Sequence, residues 1–131
     1  MKMEEILVDK GEDIKEKIIK VLSERGVNKA VILNAIGSAI DLVIAAPYEN
    51  QLPLRAAEIP FHSAAEIIGL SGEVQPWSEI DPAIAAVYPD KSAPFFLHLH
   101  VAAASAGGHA FGGGLRGGKA FRSMRIFYYA I

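Results

Sequence analysis

The spacing of apolar residues changes along the chain, and each spacing marks a kind of element. Ile14, Ile18, Val21 and Leu22 recur at i, i+4, i+7 and i+8, one face of a 3.6-residue period, and predict a helix. Glu12 and Asp13 suit the positive end of its dipole, and Gly26 suits a stop just past its last turn. Lys15, Glu16, Lys17 and Lys20 fall on its solvated face. Ahead of the helix, residues 3–9 predict a short strand centred on Ile6-Leu7-Val8.

Beyond the helix the pattern is that of strands. Ala30 to Ile36 is a continuous apolar run, read as a buried strand. Gly37-Ser38 breaks it, and Ile40 to Ala45 reads as the next strand, giving a hairpin or bulged meander. Pro47 to Pro53 is a loop, Leu54 to Ile59 a strand limited by Pro60. Ala64 to Val74 is a further strand whose glycines imply bulges or close backbone approach. Residues 76–94 hold prolines at 76, 82, 89 and 94 and predict a loop with one helical turn over Pro82 to Val87. Two histidine-bearing strands follow, then a glycine-rich segment, 107–118, and a β-prone run from Lys119 to Tyr129. One early helix and about seven strands, mostly adjacent in sequence, predict an α+β domain over residues 1–131 with a mainly antiparallel sheet.

Composition narrows the chemistry. The chain is 51% hydrophobic, enough for a core and for a buried subunit interface. A net charge of −2 argues against a broadly basic nucleic-acid surface. With no cysteine, disulfides and thiolate metal sites are excluded, and the chain reads as cytoplasmic. There is no signal peptide and no run of about 18 apolar residues able to span a membrane.

Three of the four histidines gather between Pro94 and His109. In a strand His98 and His100 point to the same face, about 7 Å apart. The small residues Ala102 to Gly107 can turn, and a register pairing His109 with His100 or His98 would bring three imidazoles together. Three histidines around an open position suit zinc, and neutral imidazole favours zinc, copper, nickel or iron over magnesium or calcium. Glu66, Glu58 or a water is the candidate fourth donor. A metal there would lower the pKa of bound water and permit hydrolytic or lyase chemistry, with Glu66 as candidate general base. The plainer alternatives are a metal that only stiffens the hairpin, or satisfied core histidines with no metal. His62, between Pro60 and Ser63, reads as an exposed loop residue.

The glycine-rich segment contains two nucleotide-loop patterns that lack their context. Gly112 to Gly117 fits G-x-G-x-x-G, and Gly113 to Lys119 fits G-x-x-x-x-G-K with Ala120 in place of Ser or Thr. Both motifs need a helix afterwards, and a β-prone run follows instead, so no nucleotide site is expected. A flexible turn with tight backbone packing near the histidines is the expected role, with an anion-binding loop flanked by Arg116 and Lys119 as the other option. Arg116, Lys119, Arg122 and Arg125 make a basic cluster in sequence, but strand alternation sends Arg122 and Arg125 to opposite sides. Trp77, Tyr88, Phe95 and Phe96 bracket the long loop and can wall a small pocket or anchor a subunit interface.

Four motifs in order resemble the plants-and-prokaryotes-conserved (PPC) domain family over most of the chain. Gly11-Glu12-Asp13-Ile14 resembles its opening helix motif, and Ala35-Ile36-Gly37-Ser38 its early strand-end motif. Glu66-Ile67-Ile68-Gly69-Leu70-Ser71-Gly72 resembles its Glu-Ile-Leu-Ser-Leu-x-Gly strand. His98-Leu99-His100 with Gly107-Gly108-His109 resembles its His-x-His and Gly-Gly-His signature. The resemblance implies a homotrimer, and a metal-holding cluster of His98, His100 and His109. Stand-alone prokaryotic members are commonly called DNA-binding proteins. The plant-type Gly-Arg-Phe is here Ser63-Ala64-Ala65, so plant partner contacts are not carried over. Two functions follow as expectations: a DNA-associated or regulatory module whose trimer is the platform, or a small-molecule-binding protein or metal-dependent enzyme built on the histidines.

Overall fold

The computed structural model describes residues 2–52, 55–88 and 91–131. Strand β1 spans Met3–Asp9, helix α1 Ile14–Glu24, β2 Ala30–Pro47, β3 Ala56–Phe61 and β4 Ala65–Gln75. A 3₁₀ turn at Trp77–Glu79 and a short helix α2 at Pro82–Ala85 lead to β5, Phe96–Ala104. A second 3₁₀ turn, Ala106–Gly108, leads to β6, Ala110–Ala130. The architecture is the expected α+β arrangement, with every strand pairing antiparallel.

Helix α1 starts and stops where its sequence dictates. The Asp13 carboxylate accepts the Glu16 backbone N–H at 2.9 Å, satisfying an amide that has no partner within the helix. Gly26, at φ 68°, lets its own N–H reach Ser23 O and the Val27 N–H reach Leu22 O, the double bond pattern that closes a helix on a left-handed residue. Ile14, Ile18 and Leu22 are buried, joining Ile6 and Val8 of β1 and Met124, Ile126 and Tyr128 of β6 in the core.

The sheet has six strands, not about seven. Ala30–Ile36 and Ile40–Ala45 are one 18-residue strand, so the expected break at Gly37-Ser38 does not occur. The ladder to β6 carries on past it with register shifts at Gly37/Ala39 and again around Asp41, which adopts φ 55°. Bulges twist the strand without ending it. Gly37 is needed there because a Cβ would collide with the carbonyl oxygen of Ser123 on β6. Pro60 lies inside β3 and is tolerated because β3 pairs only with β2, leaving an edge where a missing N–H costs nothing. Leu54, the expected start of that strand, lies outside the described residues, as do Pro53 and Pro89 of the flanking loops.

The sheet order is β1-β6-β5-β4-β2-β3, and β6 also pairs with β2. Strands β2, β4, β5 and β6 therefore close into a ring, with β1 and β3 attached outside it. Of the glycine-rich segment, Gly107 and Gly108 lie in the 3₁₀ turn, and the rest from Ala110 is the first half of β6, a strand. A Cβ at Gly112 would stand 2.6 Å from Val101 O, and one at Gly113 2.5 Å from Ala45 O. Those glycines let three strands approach closely enough to close the ring, which is the packing role expected of them.

Candidate functional site

Alternation along β5 sorts its side chains. Leu97, Leu99, Val101 and Ala103 are buried in the core. His98 and His100 fall on the opposite face, half-buried and exposed respectively. Their rings lie 4.9 Å apart, edge to face. Strand β4 sets Glu73 opposite His98 and Ser71 opposite His100. Glu73 Oε1 is 3.6 Å from His98 Nδ1. Gly72, between them, permits this approach, since a Cβ there would run into the carbonyl oxygen of His98.

Burial holds the His98 imidazole below its ordinary pKa, and the neighbouring His100 adds to the effect. Glu73 opposes both, and Arg116 contributes a further lowering. His98 is thus kept neutral near physiological pH, the form that ligates a metal or accepts a proton.

The third histidine does not join them. His100 stands opposite Gly114, and the hairpin closes at the pair Ala104 and Ala110. His109 follows the 3₁₀ turn at the tip, its ring against Gly107. The expected register of His109 beside His100 or His98 is therefore wrong, because the turn takes up only the residues between Ala104 and Ala110, leaving His109 at the far end of the strands. Among the described residues no group of three His, Cys, Asp or Glu is placed to hold a metal ion.

The expected carboxylates are also dispersed. Glu66 stands opposite Ala104, four positions along β5 from His100, and Glu58 stands opposite Ala45 on the edge pair β2–β3. Glu73 is the carboxylate beside the histidines. Its i, i+2 spacing with Ser71 mirrors that of His98 and His100, but only the strand register selects it over Glu66. His62 is exposed, 3.4 Å from the Asp41 carboxylate.

The pair shares its face with exposed apolar side chains. Antiparallel partners lie on one side of a sheet. Successive pairings carry Met3 to Tyr129, Tyr129 to Val31, Val31 to Glu73 and Glu73 to His98. A parallel row links Leu7, Arg125 and Ile36. Met3, Leu7, Val31, Leu33 and Ile36 remain 38–62% exposed. Leu33, Asn34, Ser71 and His100 line a hollow of about 370 Å³ on this side. Arg125 is neutralised by Glu5, with Nε 2.6 Å from Oε1. The basic cluster seen in sequence is thereby broken up: Arg125 is paired on the sheet face, while Arg116 lines a separate cleft of about 780 Å³. Trp77, Tyr88, Phe95 and Phe96 line that cleft too, the pocket-wall role that was one of their two expected roles.

The sequence matches the Plants and Prokaryotes Conserved (PCC) domain over residues 5–129. Solved structures share the fold. A PPC protein of Pyrococcus horikoshii is 24% identical with a TM-score of 0.75, covering 100% of this chain and 80% of its own. A metal-containing protein of Archaeoglobus fulgidus is 26% identical with a TM-score of 0.75, covering 99% and 79%. A candidate DNA-binding protein of Bacteroides thetaiotaomicron is 16% identical with a TM-score of 0.75, covering 98% and 78%. No curated protein matches the chain.

Proposed function

The chain belongs to the Plants and Prokaryotes Conserved domain family, and from that premise we propose that it is a homotrimeric DNA-associated regulatory module. The observation that carries this reading is the open sheet face, where Met3, Leu7, Val31, Leu33 and Ile36 are exposed on registered neighbouring strands. A contiguous apolar surface of this kind is costly in water and is covered by association. The candidate DNA-binding protein of the same fold supports the link to DNA. The net charge of −2 and the Glu5–Arg125 pair leave little free positive charge on this face, so contact with phosphate is light, with a salt dependence set by the few phosphates it neutralises. The trimer is then an interaction platform more than a clamp. The experiment is sedimentation of the purified chain followed by retardation of duplex DNA across a salt series. A trimer that retards DNA at low salt and releases it as salt rises supports the reading. A monomer sinks the assembly, and no retardation at any salt sinks direct DNA contact.

A second reading, a metal-dependent or small-molecule-binding protein, is favoured by the His98–His100 pair and by the metal-containing relative at 26% identity. His98 and His100 supply two nitrogen donors, with Glu73 orienting His98. The third histidine, His109, reaches such a site only from a neighbouring copy, so the metal site and the trimer stand together. A metal held there would supply Lewis acidity, most readily as zinc. Glu66, on β4, is the expected general base of this reading, and Glu73 is the carboxylate nearer the pair. Elemental analysis of wild type, His98→Ala and His100→Ala tests it, and wild type free of metal ends it.

A further inference from the structure

Neither reading above uses the larger cleft. It lies beside the 76–95 segment and adjoins His98, whose ring centre is 5.8 Å from that of Tyr88 and 5.5 Å from that of Phe96, and its aromatic walls are pre-formed. Trp77 Nε1–H donates to Ala93 O at 2.9 Å, fixing the indole. Phe96 packs against Trp77 with ring centres 5.5 Å apart and against Tyr88 at 5.0 Å. The guanidinium of Arg116 lies 4.5 Å from the Tyr88 ring centre.

Arg116 sets the chemistry. The cleft's other arginine, Arg55, is neutralised by Glu49 at 2.8 Å. Arg116 is half-buried and has no acidic partner among the described residues. A guanidinium stacked on a ring keeps its planar edge of N–H donors, which matches a carboxylate with two parallel hydrogen bonds. A volume of about 780 Å³ suits a small organic ligand. Asp13, Lys15 and Glu16 at the start of α1 and Glu58 of β3 also line the cleft. The carboxylates among them disfavour a second negative group.

We propose that this cleft binds a small organic monoanion with a flat apolar body, its carboxylate on Arg116 and its body against Tyr88, Phe96 and Trp77. The site needs neither metal nor DNA, and because it adjoins His98, the chelator in the titration is what separates it from the second reading above.

Trp77 is the chain's only tryptophan, so its single indole N–H resonance reports on the cleft. Naphthoate is titrated into the full chain in excess chelator, followed by that resonance and by calorimetry. Neutral naphthamide and naphthalene dicarboxylate are run alongside. Naphthoate shifts the indole resonance saturably, and the amide and the diacid bind about tenfold more weakly or worse. Arg116→Gln lowers naphthoate to the level of the amide and leaves amide binding unchanged, while Arg116→Lys keeps part of the preference. Arg122→Gln, outside the cleft, changes nothing. Equal binding of acid and amide by wild type, full naphthoate binding by Arg116→Gln, binding only in metal-loaded protein, or no saturable response each overturns the proposal.

Discussion

Gly72 lies so close to the carbonyl of His98 that a Cβ at that position would collide with it. One missing methyl group thus sets the distance between β4 and β5 and, with it, the approach of Glu73 to His98. By contrast a Cβ at Gly69, three residues earlier on the same strand, meets nothing nearer than Asn34 Oδ1 at 4.0 Å. Gly72→Ala is expected to destabilise the protein by about 1–3 kcal/mol and to disturb the imidazole signals of His98 and His100. Gly69→Ala is expected to be neutral or to stabilise by about 0.4–1 kcal/mol, since only the unfolded chain loses freedom. Urea unfolding of both variants checks the contrast; equal losses would mean that the close approach is not what Gly72 provides.

The open sheet face gives a prediction about assembly. Ile36 is 62% exposed, so replacing it strips little from the core. Ile36→Lys is expected to convert the proposed trimer to monomer while leaving the far-ultraviolet circular dichroism spectrum intact. Sedimentation velocity reads the mass. A variant that remains trimeric would place the interface elsewhere.

The histidines give a prediction that depends on that assembly. His98→Ala and His100→Ala are each expected to abolish bound metal. His109→Ala is expected to weaken it strongly in the trimer, and the monomeric Ile36→Lys is expected to lose metal with its own three histidines intact. Metal content measured after desalting decides the matter, and full metal in that monomer would show that no neighbouring His109 is needed.

Glu12 gives the pH dependence. Its carboxyl is held below the usual carboxylate range, first by the Asp9 backbone N–H, which donates to it at 2.8 Å, and then by Lys17 at 3.0 Å. In the unfolded chain the group returns to its ordinary value. Between the two pKa values the unfolded chain binds more protons, so stability rises with pH there. The contribution is complete above the ordinary carboxylate range and is lost as pH falls through the lowered folded value. Glu12→Gln is expected to flatten the acid side of a plot of Tm against pH; an unchanged slope would remove Glu12 from the account.

Local signals and long-range contacts divided the work in forming this protein. The sequence alone determined helix α1, because its period, its Asp13 cap and its Gly26 stop act over a few residues. It likewise determined the strand character of most of the chain, the same-face placement of His98 and His100, and the strand that follows both nucleotide-loop patterns where a helix would be needed, all of which follow from spacing along one segment. What it could not determine depended on partners distant in sequence. Gly37-Ser38 looked like an end because glycine is a local breaker, yet β6 runs alongside and continues the strand through bulges. The segment 107–118 looked like a turn because seven of its residues are glycine, yet only Gly107 and Gly108 lie in a turn, while Gly112, Gly113 and Gly118 serve strands that crowd against β6. The placement of His109 rested on register, and register is fixed where the hairpin turns and where the core side of β5 must face inward. Tertiary structure alone therefore exchanged Glu66 for Glu73 beside His98, parted His109 from its expected neighbours, and set Arg116 on Tyr88 in the cleft that the aromatic residues of the 76–95 segment wall.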